Sequence, residues 1–336
     1  MTKNRNLKST LIAATAALSL GLVVCIVLAV RTGATSVTYH EMLSAVISGK
    51  STAASSIIFD IRFPRVLLAA VVGAILASGG ASLQGLLGNP LAEPYTVGVS
   101  SGCVLGASLA FAFGWDQSLG PWIIPFAAFV TGLAAVAIVF VMSRRSQKMD
   151  VNTFLLSGII VGAFFWSVTI FVLTASSDDL ARIFRWFVGS FETDAPWDYF
   201  WRVLKIAVVM IGGLLYFARD LNAFAMGEES ARQLGVEPER LKGWIIGLVA
   251  LGTAASVAAA GVIGFVGLIV PHAMRRVFGS DHRLLIVSSA LSGACLLVLA
   301  DALARGLAPP REIPVGVITA VIGAPVFLII MSRGRR

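Results

Sequence analysis

Ten apolar runs, most of them near 20 residues, govern what this chain can fold into: Leu11–Val30, Val66–Gly88, Tyr95–Phe113, Pro121–Met142, Val151–Ala175, Phe200–Ala218, Gly243–Ala260, Gly261–Met274, Leu284–Ala304 and Ile313–Met331. A helix of about 20 residues covers the ~30 Å hydrocarbon core of a bilayer. Inside that core only helices and closed barrels satisfy their own backbone polar groups. With 57% of its 336 residues hydrophobic and 13% charged, the chain is too apolar for a water-soluble plan. It is predicted to be an all-α polytopic membrane protein with ten transmembrane helices.

The seventh and eighth runs decide the count. Gly243–Val270 is continuous apolar sequence, too long for one comfortable span and short for two, but Gly261, Gly264 and Gly267 weaken helix there. Charge resolves the choice. Ten spans leave 16 of the 26 Lys and Arg residues on the cytoplasmic side, whereas fusing the two runs leaves 12. The positive-inside rule favours ten, with both termini cytoplasmic. Lys3, Arg5 and Lys8 before Leu11–Val30 then read as the inner flank of an uncleaved first span. Two outward segments are long, residues 31–65 and 176–197, and the second mixes charge with aromatics in the manner of an interfacial helix. The net charge of +8 is scattered among loops and span ends, where topology accounts for it, so no nucleic-acid partner is expected beside the membrane lipid. Cys25, Cys103 and Cys295 sit in apolar runs without CxxC spacing and read as small core residues.

One polar stretch interrupts the pattern. Residues 219–242, RDLNAFAMGEESARQLGVEPERLK, carry Glu228 and Arg232 four apart, a pair that faces one side of a short helix. Gly235 suits a left-handed helix C-cap and Pro238 the first turn of a following helix. Two short helices with a turn between them, outside the bilayer, are predicted; a plain solvated loop is the alternative.

Chemistry of the chain's own is not evident. Gly49-Lys50-Ser51-Thr52 imitates the end of a phosphate-binding loop, but Ser44 stands where that loop needs its first glycine. His40, His272 and His282 fall in separate segments without metal-ligand spacing. Glu93 and Asp301 lie toward span ends, so the acidic or histidine relay of an ion-coupled carrier is not visible, nor is a catalytic pair for an intramembrane enzyme.

Three stretches are more distinctive: RFPR at 62–65, QGLLGNPLAEP at 84–94 and GVIGFVGLIVPHAMRRVFGSDHR at 261–283. Taken alone, span-end arginines are usually anchors and Gln-Gly or Asn-Pro pairs are turn chemistry. With FRWFVGSF, GEESARQLGV, ADALAR and EIPVGVITAVIGAPVFLIIM in this order, the chain from about residue 57 onward resembles the FecCD family of ABC permeases, which import iron-siderophores, haem and vitamin B12. RFPR stands where RLPR is common in that family.

The resemblance implies the type II importer permease fold, with residues 1–336 as one permease domain bearing cytoplasmic coupling helices at 220–237. It implies a homodimer in a prokaryotic cytoplasmic (inner) membrane, two ATP-binding cassette ATPase subunits inside, and a periplasmic or lipid-anchored substrate-binding protein outside. The family's ATPase-coupling motif falls on Gly227, Glu228, Glu229, Ala231, Leu234 and Gly235. Its binding-protein docking arginines fall on Arg62, Arg65 and Arg305. The resemblance calls for no cofactor, metal or catalytic residue in this chain. An iron-siderophore is the first-choice substrate, with haem or vitamin B12 as the alternatives.

Overall fold

The computed structural model describes residues 2–33, 53–145, 148–175, 180–309 and 311–333. The GKST sequence at 49–52 and His40 lie outside them. Ten long helices follow in chain order: α1 Thr2–Arg31, α2 Phe63–Leu87, α3 Val99–Ala112, α4 Ile123–Met142, α5 Val151–Ala175, α6 Pro196–Tyr216, α7 Pro238–Ala260, α8 Val266–Phe278, α9 His282–Gly306 and α10 Val315–Arg333. Seven are long and apolar enough to cross a membrane, counting α2 with the π-helical turn Ile57–Arg62 before it. The shorter α3, α8 and α10 complete the ten-helix architecture expected from the apolar runs.

Helix α2 is the axis of the bundle. Of its apolar window 83% is buried inside the protein, against 6% for α1, so α2 is protein core and α1 is peripheral. It packs against α6, α7, α8 and most extensively α9. Small residues let backbones approach where the bilayer supplies no hydrophobic drive between helices. A Cβ on Gly73 would collide with the carbonyl of Gly293 in α9, and a Cβ on Gly293 with that of Gly73. Of the GxxxG pairs in the sequence, Gly102/Gly106 meets α4 in this way, whereas Gly247 faces open space.

The long apolar run breaks at Gly261 as expected, but the break is several residues wide. Helix α7 ends at Ala260, residues 261–264 are non-helical, and α8 begins at Val266 rather than Gly261. Gly261 has φ +69° and sits where a side chain would strike the carbonyl of Trp186. The break is satisfied by neighbours. Ser190 N–H donates to Ala260 O at 2.9 Å, Val262 N–H to Phe187 O at 3.3 Å, and Val315 N–H to Gly189 O at 3.0 Å. The short helix Leu180–Phe187, expected as interfacial, delivers that strand of chain. Phe265, with φ +70°, opens α8 in a left-handed conformation, and its ring packs where Gly323 of α10 has no side chain.

On the same level, Gln84 Nε2 donates to Gly267 O at 3.2 Å and Ile263 N–H donates to Tyr95 Oη at 3.2 Å. The QGLLGNPLAEP turn and the break between α7 and α8 are therefore one structural unit, although 183 residues separate Gln84 from Gly267.

Candidate functional site

At one end of the bundle, α6 passes through Phe217 into a short helix, Ala218–Phe224, and a second follows at Glu228–Gln233. The sequence reading located the second helix and its cap but missed the first. Pro238, expected to open another short helix, instead opens α7 itself, five residues before the apolar run begins. Pro fits there because the first helical N–H has no partner to lose.

The helix Glu228–Gln233 stops as its sequence dictates. Gly235 has φ +84°, its N–H donates to Arg232 O at 2.9 Å, and Val236 N–H reaches back to Ala231 O at 3.0 Å. This pair of bonds is a Schellman cap, which a left-handed glycine makes without Cβ strain. The expected pair is present, with Arg232 Nη2 2.9 Å from Glu228 Oε1. Ala231 is fully buried, while Glu229, Leu234 and Gly235 are exposed. Gly227, with φ +112°, turns the chain between the two helices.

Two polar anchors hold this segment. Asn222 Nδ2 donates to Asp281 Oδ1 at 2.8 Å, and Asn222 Oδ1 accepts His282 N–H at 2.8 Å, fixing the first helix to the start of α9. Asp281 caps α9 by accepting Arg283 N–H, and hydrogen bonds from the Arg283 and Asn222 side chains hold its carboxyl down to about 2. The second anchor is Lys242 of α7, only 2% exposed. Its Nζ reaches Glu228 Oε2 at 3.1 Å, Glu239 Oε1 at 2.9 Å and Met149 O at 3.1 Å. Glu239 also accepts Met149 N–H at 2.8 Å, so the small hairpin between α4 and α5 joins the same node. Sequence reasoning missed Lys242. Its signal was a lysine at the mouth of an apolar run, three residues after Glu239.

At the opposite end, where α2 starts and α9 finishes, the structure brings Arg62, Arg65 and Arg305 together. They are turned inward, at 6%, 8% and 4% exposure. Asp301 is completely buried and bridges two of them, with Arg65 Nη2 at 2.9 Å from Oδ1 and Arg305 Nε at 3.0 Å from Oδ2. Glu312, at the surface, takes the other edge of Arg65 at 2.8 Å. Arg62 Nη1 donates to the carbonyls of Val30 and Arg31, and Arg305 to those of Ala29 and Thr32. Those carbonyls are the open C-terminal end of α1, which favours cations. The acids at 301 and 312 are thus part of the arginine site; Asp301 and Arg305, four apart inside an apolar helix, were the available signal. Among the described residues no group of three or more His, Cys, Asp or Glu could hold a metal ion.

The FecCD transport family matches residues 21–333. The chain is 36% identical over 322 residues to the Fe(3+) dicitrate transport permease FecD of Escherichia coli, covering 95% of this chain and 98% of that one. It is 41% identical over 281 residues to the hemin transport permease HmuU of Yersinia pestis, covering 82% and 83%. It is 41% identical over 283 residues to the cobalamin import permease BtuC of Halobacterium salinarum, covering 84% and 75%. A solved structure described as an inward-facing metal-chelate type ABC transporter superposes with a TM-score of 0.83 at 31% identity, over 96% of this chain and 99% of that one. This multi-pass membrane chain belongs to the FecCD transport family of ABC importer permeases, transport components whose ATPase is carried by a separate subunit.

Proposed function

We propose that this chain is the permease of a binding-protein-dependent ABC importer that moves an iron-siderophore-type chelate inward. The observation that carries the reading is the way segment 218–236 is mounted. Met226, in the turn between the short helices, and Leu234, at the end of the second, are 71% and 65% exposed on a base fixed by Asn222 and by buried Lys242. A stiff base with exposed apolar tips transmits a partner's movement into α7 and α9, whereas a loose loop would absorb it. Residues 1–336 act as one permease domain, and 220–237 are its coupling helices. Gly227, Glu228, Glu229, Ala231, Leu234 and Gly235 form the surface or the scaffold of the ATPase contact.

The complex is a homodimer with two ATPase subunits on the cytoplasmic side, where both termini also lie. A substrate-binding protein docks at the end that holds Arg62, Arg65 and Arg305. A chelate cargo is supported by the relatives named for ferric dicitrate, hemin and cobalamin transport. It is also supported by the cavity of about 390 Å³ between the 89–101 stretch and α5, whose lining, including Leu91, Tyr95, Thr96 and Gly158, carries no ionisable acid or base apart from the tyrosine. Haem or cobalamin is the second reading, favoured by the same relatives.

The test is reconstitution in liposomes with the cognate ATPase and binding protein, after the binding protein's visible spectrum has identified its ligand. Uptake of the radiolabelled chelate that needs both partners and ATP is expected. Uptake by the permease alone on an ion gradient would overturn the reading.

A further inference from the structure

A groove of about 610 Å³ runs between α4, α6 and α7, on the side of the bundle away from α9. Its walls are apolar, with Phe126 and Phe129 from α4, Ile206 from α6 and Ala259 from α7. Its mouth is not. Arg202 and Lys205, three apart on one face of α6, both line it, and among the described residues neither has an ion-pair partner. The Arg202 guanidinium lies 4.2 Å above the Trp122 ring, and Trp122 in turn lies 4.5 Å from the ring of Tyr199.

Their level along α6 makes these cations informative. Trp197 and Trp201, near the start of α6, mark the level where aromatic side chains favour the headgroup region. Arg202 follows Trp201 directly, and Lys205 lies about 6 Å beyond Trp201 along the helix, so both cations reach the phosphate level. A cation there is best satisfied by an anionic counter-charge. An apolar trench alone would take an acyl chain of any lipid. A trench with two unpaired cations along its upper edge selects one kind of lipid.

We propose that this groove is a binding site for an anionic phospholipid of the leaflet that holds the start of α6. One acyl chain lies between Phe126, Phe129 and Ala259, and the phosphodiester sits between Arg202 and Lys205. The site is separate from the arginine cluster on α2 and α9 and from the coupling segment. It restrains α6 against α7, the helix that carries Lys242.

The test is native mass spectrometry of the full chain in detergent with an equimolar mixture of phosphatidylglycerol and phosphatidylcholine. The wild type is expected to retain phosphatidylglycerol with about tenfold preference. The Arg202→Gln/Lys205→Gln variant should lose the preference while still binding some lipid of either kind. Ala259→Phe, which fills the trench and leaves the charges in place, should lose bound lipid altogether. Equal retention of the two lipids by the wild type would overturn the proposal, since a lysine that merely snorkels does not distinguish headgroups. So would a preference that survives the double glutamine change, or displacement of the lipid by excess inorganic phosphate, which would leave an anion site only.

Discussion

Lys242 Nζ lies 3.1 Å from Glu228 Oε2 and 3.1 Å from the carbonyl oxygen of Met149, joining the start of α7 to the helix Glu228–Gln233 and to a hairpin 93 residues away. The lysine is almost completely enclosed, and Glu239 is its third partner at 2.9 Å. Replacing it with methionine keeps the volume and removes three charge-assisted bonds, each worth about 1.5–3 kcal/mol. Hydrogen exchange across 228–236 should accelerate at least several-fold in Lys242→Met, with the exchange of α2 unchanged. Unaltered protection at 228–236 would mean that the helix is held by its Schellman cap alone.

Leu234 tests the other face of the same segment. It is exposed and only caps the helix, so Leu234→Asp should leave insertion and thermal stability as they are. If the ATPase covers this residue, a carboxylate there costs on the order of several kcal/mol on desolvation, and ATPase co-purification and uptake should both fall. Normal co-purification would place the contact elsewhere.

Periodicity and charge made the bundle legible because the bilayer fixes helix length and the loops carry the sign. The coupling cap was legible for a similar reason: Glu228, Arg232 and Gly235 act within two turns of one short helix. What escaped was contact between distant segments. Nothing near Lys242 announces Met149 as a partner, 93 residues away, and nothing near Arg65 announces Asp301, 236 residues away. The inward turn of the arginines belongs to the same class. Their place at one end of the bundle follows from topology, but their burial depends on the free carbonyls of α1 and on two acids. Phe265 is a further case, since a bulky residue at positive φ contradicts local preference and is held by the packing of α8 against α10.

The arginine cluster leads to the last prediction. Among the described residues, Arg65 is held by two carboxylates, buried Asp301 and surface Glu312. Docking of a carboxylate from a binding protein would have to take the place that Glu312 holds on Arg65, because Asp301 is completely buried and Glu312 is one-third exposed. Reversing Arg305 to Glu would be a poor probe, since it would set a second buried acid beside Asp301 and disturb the fold itself. Glu312→Gln is cleaner: it leaves the buried Arg65–Asp301–Arg305 bridge intact and removes the surface competitor. If the cluster receives the partner, this variant should associate faster than wild type in nanodiscs, since charge at a docking rim acts chiefly on the association rate. The gain should shrink as salt rises, because screening at 0.1 M acts over about 10 Å. If the arginines only lock α1, α2 and α9 together, Glu312→Gln should change thermal stability and leave the association rate equal to wild type at every salt concentration. That result would assign Arg62, Arg65 and Arg305 to holding the helices and move the docking surface off this cluster.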